Sequence, residues 1–169
     1  MKSLFMLLGL FALSNCVSDP TIGYSSKSLY PTEYHSVSVP IFENTTMTRN
    51  MEFMLTDAVI KQIQSRTPYR VVNESYADTL LTGTITKVDL QTINQSRTTG
   101  LANEVLLKVT INFEWLSLNT GTRIVGKKNF TSEALFVPSR PSSEPIEMGQ
   151  FAVVQQLATD IVDQMQSAW

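Results

Sequence analysis

The chain has 169 residues, with 13 basic and 15 acidic side chains and a formal net charge of −2. That mild acidity argues against a nucleic-acid partner, which calls for a marked basic excess, and against holding an anionic membrane by charge alone. Its single cysteine, Cys16, permits no internal disulfide, so packing must hold the fold together.

Residues 1–15 have the layout of a secretory signal: a charge at Lys2, an apolar run from Leu4 to Leu13, then Ser14 and Asn15. The run is about half the roughly 20 residues a membrane-spanning helix needs. The chain beyond it is long enough for one domain with one core. Leu13-Ser14-Asn15-Cys16 resembles a bacterial lipobox, in which the cysteine is lipidated and becomes the mature N-terminus; Asn15 departs from the Gly, Ala or Ser usual at its position. Ordinary cleavage after Ala12-Leu13-Ser14 is a second reading. A buried thiol is a third, opposed by the polar, turn-forming residues around Cys16. The lipobox resemblance implies a diacylglyceryl thioether and an amide-linked acyl chain such as palmitate on Cys16. At about 0.8 kcal/mol per buried methylene, chains in that number anchor a protein stably with no segment crossing the bilayer.

Residues 16–33 read as a tether rich in Ser, Gly, Pro and Asp. The folded body is expected over residues 34–169. Val37, Val39 and Ile41 alternate with Ser36, Ser38 and Pro40 as in a half-buried strand, with Pro40 at its end or on an edge because it lacks a backbone donor. Over residues 48–66 the period changes. Met51, Met54, Leu55, Ala58, Val59, Gln62 and Ile63 fall on one helical face, Thr48 or Asn50 offers a cap, and Pro68 stops the helix. The methionines are read as core packing and not as a cofactor stripe.

Tyr69 to Asn73 reads as a short strand and Leu80 to Ile93 as a longer one, in which Gly83 marks a bulge or a close backbone approach. Residues 94–103 turn the chain. From Glu104 to Leu118, six bulky residues (Val105, Leu107, Val109, Ile111, Phe113 and Trp115) share one parity, the signature of a buried sheet face. Asn119-Thr120-Gly121 supplies hairpin chemistry, and Arg123 to Phe136 returns antiparallel. A loop rich in proline and serine spans residues 137–145. The last 22 or so residues form an amphipathic helix whose apolar face carries Met148, Phe151, Ala152, Val154, Gln155, Leu157, Ala158, Ile161, Val162 and Met165. Helices at both ends of a strand run point to an α+β two-layer sandwich, with two helices on one face of a mostly antiparallel sheet of about four strands.

No catalytic constellation stands out. His35 is the only histidine and has no partner at ligand or triad spacing. Glu52 with Asp57, and Asp160 with Asp163, sit on polar helix sides where solvated charge is the default. The seven glycines form no phosphate loop. The expectation is a protein with no enzymatic activity, cofactor or metal.

Several stretches, in order, resemble the LptE family of lipopolysaccharide-assembly lipoproteins. They are Cys16 followed by Gly23-Tyr24, the run Ser36-Val37-Ser38-Val39-Pro40-Ile41-Phe42-Glu43-Asn44, the helix from Leu55-Thr56-Asp57-Ala58 to Arg66, Ala77-Asp78-Thr79-Leu80-Leu81-Thr82-Gly83, and the carboxy-terminal helix. The resemblance implies a non-catalytic lipoprotein on the periplasmic face of the outer membrane, docked inside an LptD-type β-barrel and assisting lipopolysaccharide transport. Val17 fits that membrane, since an Asp after the cysteine is what commonly retains lipoproteins at the inner one. The family's basic loop residues match Arg97 and Arg140, which would contact the phosphates of lipopolysaccharide with bidentate guanidinium bonds. Two other classes are carried beside it: a lipid-anchored chaperone or pilot for another outer-membrane complex, and a periplasmic enzyme or carrier, which would need an enclosed pocket.

Overall fold

The computed structural model describes residues 29–95, 102–137 and 145–166. In chain order it contains β1 (Ser36–Ser38), β2 (Glu43–Asn44), α1 (Met51–Arg66), β3 (Arg70–Val71), a 3-10 turn (Glu74–Tyr76), β4 (Thr79–Gln95), β5 (Ala102–Ser117), β6 (Arg123–Phe136) and α2 (Ile146–Asp163). The α+β expectation holds, with both helices packed against one sheet. The sheet itself differs: it is mixed and has six strands, in the order β3-β1-β4-β5-β6, with β2 also on β4. β4, β5 and β6 form a long antiparallel meander, while β1, β2 and β3 are two or three residues long and pair in parallel. Strands that short do not announce the direction of their pairing. The parallel pairing of β1 with β3 is made possible by α1 crossing between them.

The strand expected over residues 37–41 is split. β1 and β2 lie one after the other on the same side of β4, opposite Thr79–Leu80 and Thr84–Ile85. Pro40 falls in the gap, where it has no ladder bond to donate. The N–H of Phe42, also in the gap, donates instead to Thr56 Oγ1 of α1 at 3.0 Å. Gly83 is a close approach: a Cβ there would stand 2.3 Å from the buried Phe42 ring and 3.0 Å from the Asn112 carbonyl oxygen. Asn119-Thr120-Gly121 does turn a hairpin, with Gly121 at φ +67° and its N–H donating to the Ser117 carbonyl.

All six residues expected inside on β5 are buried, Trp115 completely. With Leu81 and Ile85 of β4 they form the sheet side of one core. α1 adds Met51, Leu55, Ala58, Val59 and Ile63, and α2 adds Val153, Val154, Leu157, Ala158, Ile161 and Val162. α1 stops before Pro68 as expected, but its start differs. Asn50 takes a left-handed conformation with φ 68° and makes no side-chain cap; Asn44 Nδ2 instead reaches the Thr48 carbonyl and Glu52 Oε2, both at 2.7 Å. The two helices are tied at their carboxyl ends by Arg66 and Asp163, 2.5 Å apart. Among the described residues no helix is long and apolar enough to cross a membrane.

The packed body reaches back to Tyr30. Its ring meets Tyr69 edge-on at 6.1 Å, and Tyr69 and Tyr34 each pack on Trp115 at 5.8 Å. Tyr69 Oη donates to the Pro31 carbonyl at 2.9 Å, and burial pushes its phenol pKa up. This aromatic group fixes Tyr30 and Pro31 against the end of the body that carries the Asn119-Thr120-Gly121 hairpin, the proximal end of the molecule.

Candidate functional site

Register defines the opposite, distal end. Gln95 pairs with Ala102 and Val105 with Phe136, so the end of β4, the start of β5 and the end of β6 lie together. α2 begins there too, since a Cβ on Gly149 would stand 2.7 Å from the Phe136 ring. The segments 96–101 and 138–144 connect these element ends. Arg97 and Arg140 fall in them, outside the described residues, as does Cys16.

The described residues at the distal end expose apolar side chains that the sheet and helix patterns would have buried. Leu90 pairs with the fully buried Leu107 and so shares its face, yet it is 54% exposed. Phe151 precedes buried Ala158 by two helical turns on the same stripe, yet it is 58% exposed, and Met148 is 57% exposed. Met148, Phe151 and Ala152, placed on the apolar face of this helix by its period, are exposed. The helical period is right, but at this end nothing among the described residues closes over the stripe. On the opposite sheet face Leu135, paired with Leu106, is also exposed. Exposed apolar side chains at this end thus occur on α2 and on both faces of the sheet.

The carboxylates singled out as possible pairs do not meet each other. Asp57 pairs with Lys61, Asp160 accepts from Gln156, and Asp163 pairs with Arg66. Glu52 accepts from Asn44, which is the main reason its carboxyl titrates below the usual range. No group of three His, Cys, Asp or Glu side chains among the described residues is placed to hold a metal. His35 contributes its backbone: its N–H donates to Asp78 Oδ2 at 2.9 Å, joined by the Ser36 N–H and hydroxyl. Those bonds, the one from His35 foremost, hold the Asp78 carboxyl below its normal pKa. This clasp locks β1 to the start of β4.

A pKa depressed by folding contributes stability that is fully present above the unfolded value, about 3.9 for aspartate, and is lost as pH falls through the folded value. Asp78→Asn is therefore expected to be less stable than wild type at pH 7. The gap should narrow in denaturation curves recorded below about pH 4. A gap independent of pH would contradict the role given to the Asp78 charge.

The family model of LptE, the lipopolysaccharide-assembly family, matches residues 34–169. The chain belongs to the LptE family. Solved structures share its fold at low identity. One is the PelC dodecamer from Paraburkholderia phytofirmans, at TM-score 0.54 and 14% identity over 82% of this chain and 93% of that one. A Xanthomonas campestris protein gives TM-score 0.56 at 12% identity, covering 80% and 86% of the two chains. A hypothetical protein from Chlamydia trachomatis gives 0.52 at 6%, covering 78% and 98%. No curated protein sequence matches the chain. The LptE family is a family of non-catalytic lipoproteins.

What the sequence missed at the distal end is the apolar rim. The signal available was the spread of apolar residues at the start of α2, Ile146, Met148 and Phe151, which reaches around more of the helix than one buried stripe requires.

Proposed function

We propose that this LptE-family chain is a lipid-anchored, non-catalytic outer-membrane lipoprotein, held on the periplasmic face through acylated Cys16. It docks inside an LptD-type β-barrel and passes lipopolysaccharide across its distal end. The observation that carries this reading is the arrangement of that end. The elements flanking Arg97 and Arg140 terminate together, beside exposed Leu90, Met148 and Phe151. Lipopolysaccharide is an amphiphile of the matching kind, with phosphates for guanidinium groups and acyl chains for an apolar rim.

Tyr30 packs at the proximal end, which supports a reading in which the chain toward Cys16 and the glycolipid use different ends of the body. The polar outer face of the sheet, with the ion pairs Lys87–Asp89, Lys108–Glu133 and Arg123–Glu114, suits the hydrophilic lumen of a large barrel.

Affinity capture of the full-length protein from membranes in mild detergent tests this. An LptD-type barrel should be the main companion, and mass measurement should find a diacylglyceryl group and an acyl chain on Cys16. Capture of a different outer-membrane assembly would favour the pilot-protein reading, and an unacylated periplasmic form without a barrel would overturn both.

A further inference from the structure

The loop of residues 45–50, between β2 and α1, carries Met47, which is 99% exposed, more than any other large apolar side chain described. One exposed apolar side chain is ordinary on a protein surface. What sets Met47 apart is the way the backbone around it is held. The side-chain amide of Asn44 bridges the loop on both sides of Met47. Its Oδ1 accepts from the N–H and the hydroxyl of Thr46, at 2.9 and 2.7 Å, and its Nδ2 donates to the Thr48 carbonyl at 2.7 Å. Nδ2 also donates to Glu52 Oε2 in α1, so both donors and both acceptor sites of this amide are used.

The loop is tied at its start as well. The N–H and the hydroxyl of Thr45 both donate to the Ile85 carbonyl of β4, at 3.1 and 2.9 Å, and the Thr48 N–H closes on Thr46 Oγ1 at 3.3 Å. The backbone beside Met47 is therefore set before any partner arrives. Ordering a loop at an interface costs binding free energy, and a loop already ordered avoids that cost. Two more side chains of interface type stand open in the same stretch. Arg49 is exposed and has no carboxylate or hydrogen-bond partner among the described residues. Phe53, in the first turn of α1, is 55% exposed. Met, Arg and Phe are enriched at protein–protein interfaces relative to the rest of the surface.

We propose that this loop docks on a protein partner, with Met47 in an apolar socket and Arg49 on a carboxylate at the socket's rim. The chemistry favours a protein over a lipid surface. One methionine falls far short of the two chains or two signals that stable membrane attachment takes. A single preorganised anchor in a fitted pocket is how protein interfaces concentrate their affinity. The unpaired guanidinium beside it adds charge complementarity, since its planar fork takes a carboxylate with two bonds.

The inference rests on the reading of the chain as one that docks inside a barrel, because that reading supplies the partner: the inner wall of the LptD-type barrel. Such a wall is largely polar, so an apolar side chain held out toward it calls for a dedicated socket. The loop stands beside Ile85, in the first half of β4, and so is a contact separate from the apolar rim at the distal end.

The test is a competition between full-length proteins in membranes. Wild type and one variant, carrying different tags, are produced in equal amounts with the barrel, which is then captured in mild detergent. Wild type should outnumber Met47→Asp in the captured complex by about tenfold or more, and Arg49→Glu by about threefold or more. Gln64→Asp, exposed near the other end of α1, should share the barrel equally with wild type. Thermal midpoints of the variants should stay near wild type, as expected for exposed positions. Equal sharing by Met47→Asp or by Arg49→Glu overturns the proposal. So does an equal loss with Gln64→Asp, which would make any added acid sufficient. A photoreactive amino acid at position 47 reports the occupant: adducts with the barrel are expected, and adducts with lipid alone overturn the proposal. If wild type brings down no barrel, the proposed function fails and this inference with it. If the barrel is captured and the Met47 and Arg49 variants share it equally, the inference alone falls.

Discussion

Replacing Leu90 and Phe151 together by aspartate is expected to weaken binding of intact lipopolysaccharide about ten- to hundredfold while the protein stays folded. Both side chains are about half exposed, so each has up to roughly 1 kcal/mol of further burial to give when an acyl chain covers it. Losing that from two positions, and adding two negative charges near phosphates, amounts to about one to two factors of ten. The cost to the fold is small. Phe151 lies in the second turn of α2, where an acid is tolerated by the helix dipole, and Leu90 lies in an uncovered part of β4, where a poor strand former costs at most about 1 kcal/mol. Binding measured by surface capture of lipopolysaccharide, with circular dichroism on the same samples, separates the two effects. Wild-type affinity in the double variant would rule out a role for the apolar rim.

Trp115→Ala is expected to have the largest effect on stability, about 3–5 kcal/mol. That is a third or more of what a domain of this kind commonly has to spare. Trp115 is fully buried, among the largest such side chains of the core, and joins Tyr34 to Tyr69. Removing it leaves a cavity under the aromatic group that holds the amino-terminal segment at the proximal end. The indole Nε1 has no hydrogen-bond partner among the described residues, so part of the benefit of burying the ring is offset by a stranded donor. Trp115→Phe keeps most of the packing and removes that donor, and it should cost far less than Trp115→Ala. Chemical denaturation of the three proteins decides this. Equal losses for Phe and Ala would mean that the indole nitrogen is bonded after all.

The parts of the fold that were legible in the sequence are those with a period long enough to read. β5 shows six apolar residues at spacing two, and β6, the hairpin at Gly121 and the stop of α1 before Pro68 follow from strong local signals. Strands were legible near residues 36–41 and 69–73, but their parallel pairing and the break before β2 were not, because pairing depends on where α1 carries the chain. Asn50 has the right chemistry for a cap but adopts a backbone conformation that does not use it. At Met148 and Phe151 the helical period said apolar and could not say whether anything would cover them. The bulge at Asn129 was equally invisible: it sets Lys128 and Asn129 together opposite Asn112, which strand alternation alone does not announce. The roles of Arg97, Arg140 and Cys16 rest on resemblance to the family.

The proposed passage of glycolipid over the distal end is tested most directly by photo-crosslinking. A photoreactive amino acid is placed at Phe151 and, separately, at Tyr76, which is 82% exposed next to the Asp78 clasp. Irradiation of the lipidated protein in its membrane complex should yield lipopolysaccharide adducts from position 151 and none above background from position 76. Adducts from position 76 with none from 151 would place the cargo at the wrong end and contradict the proposed passage.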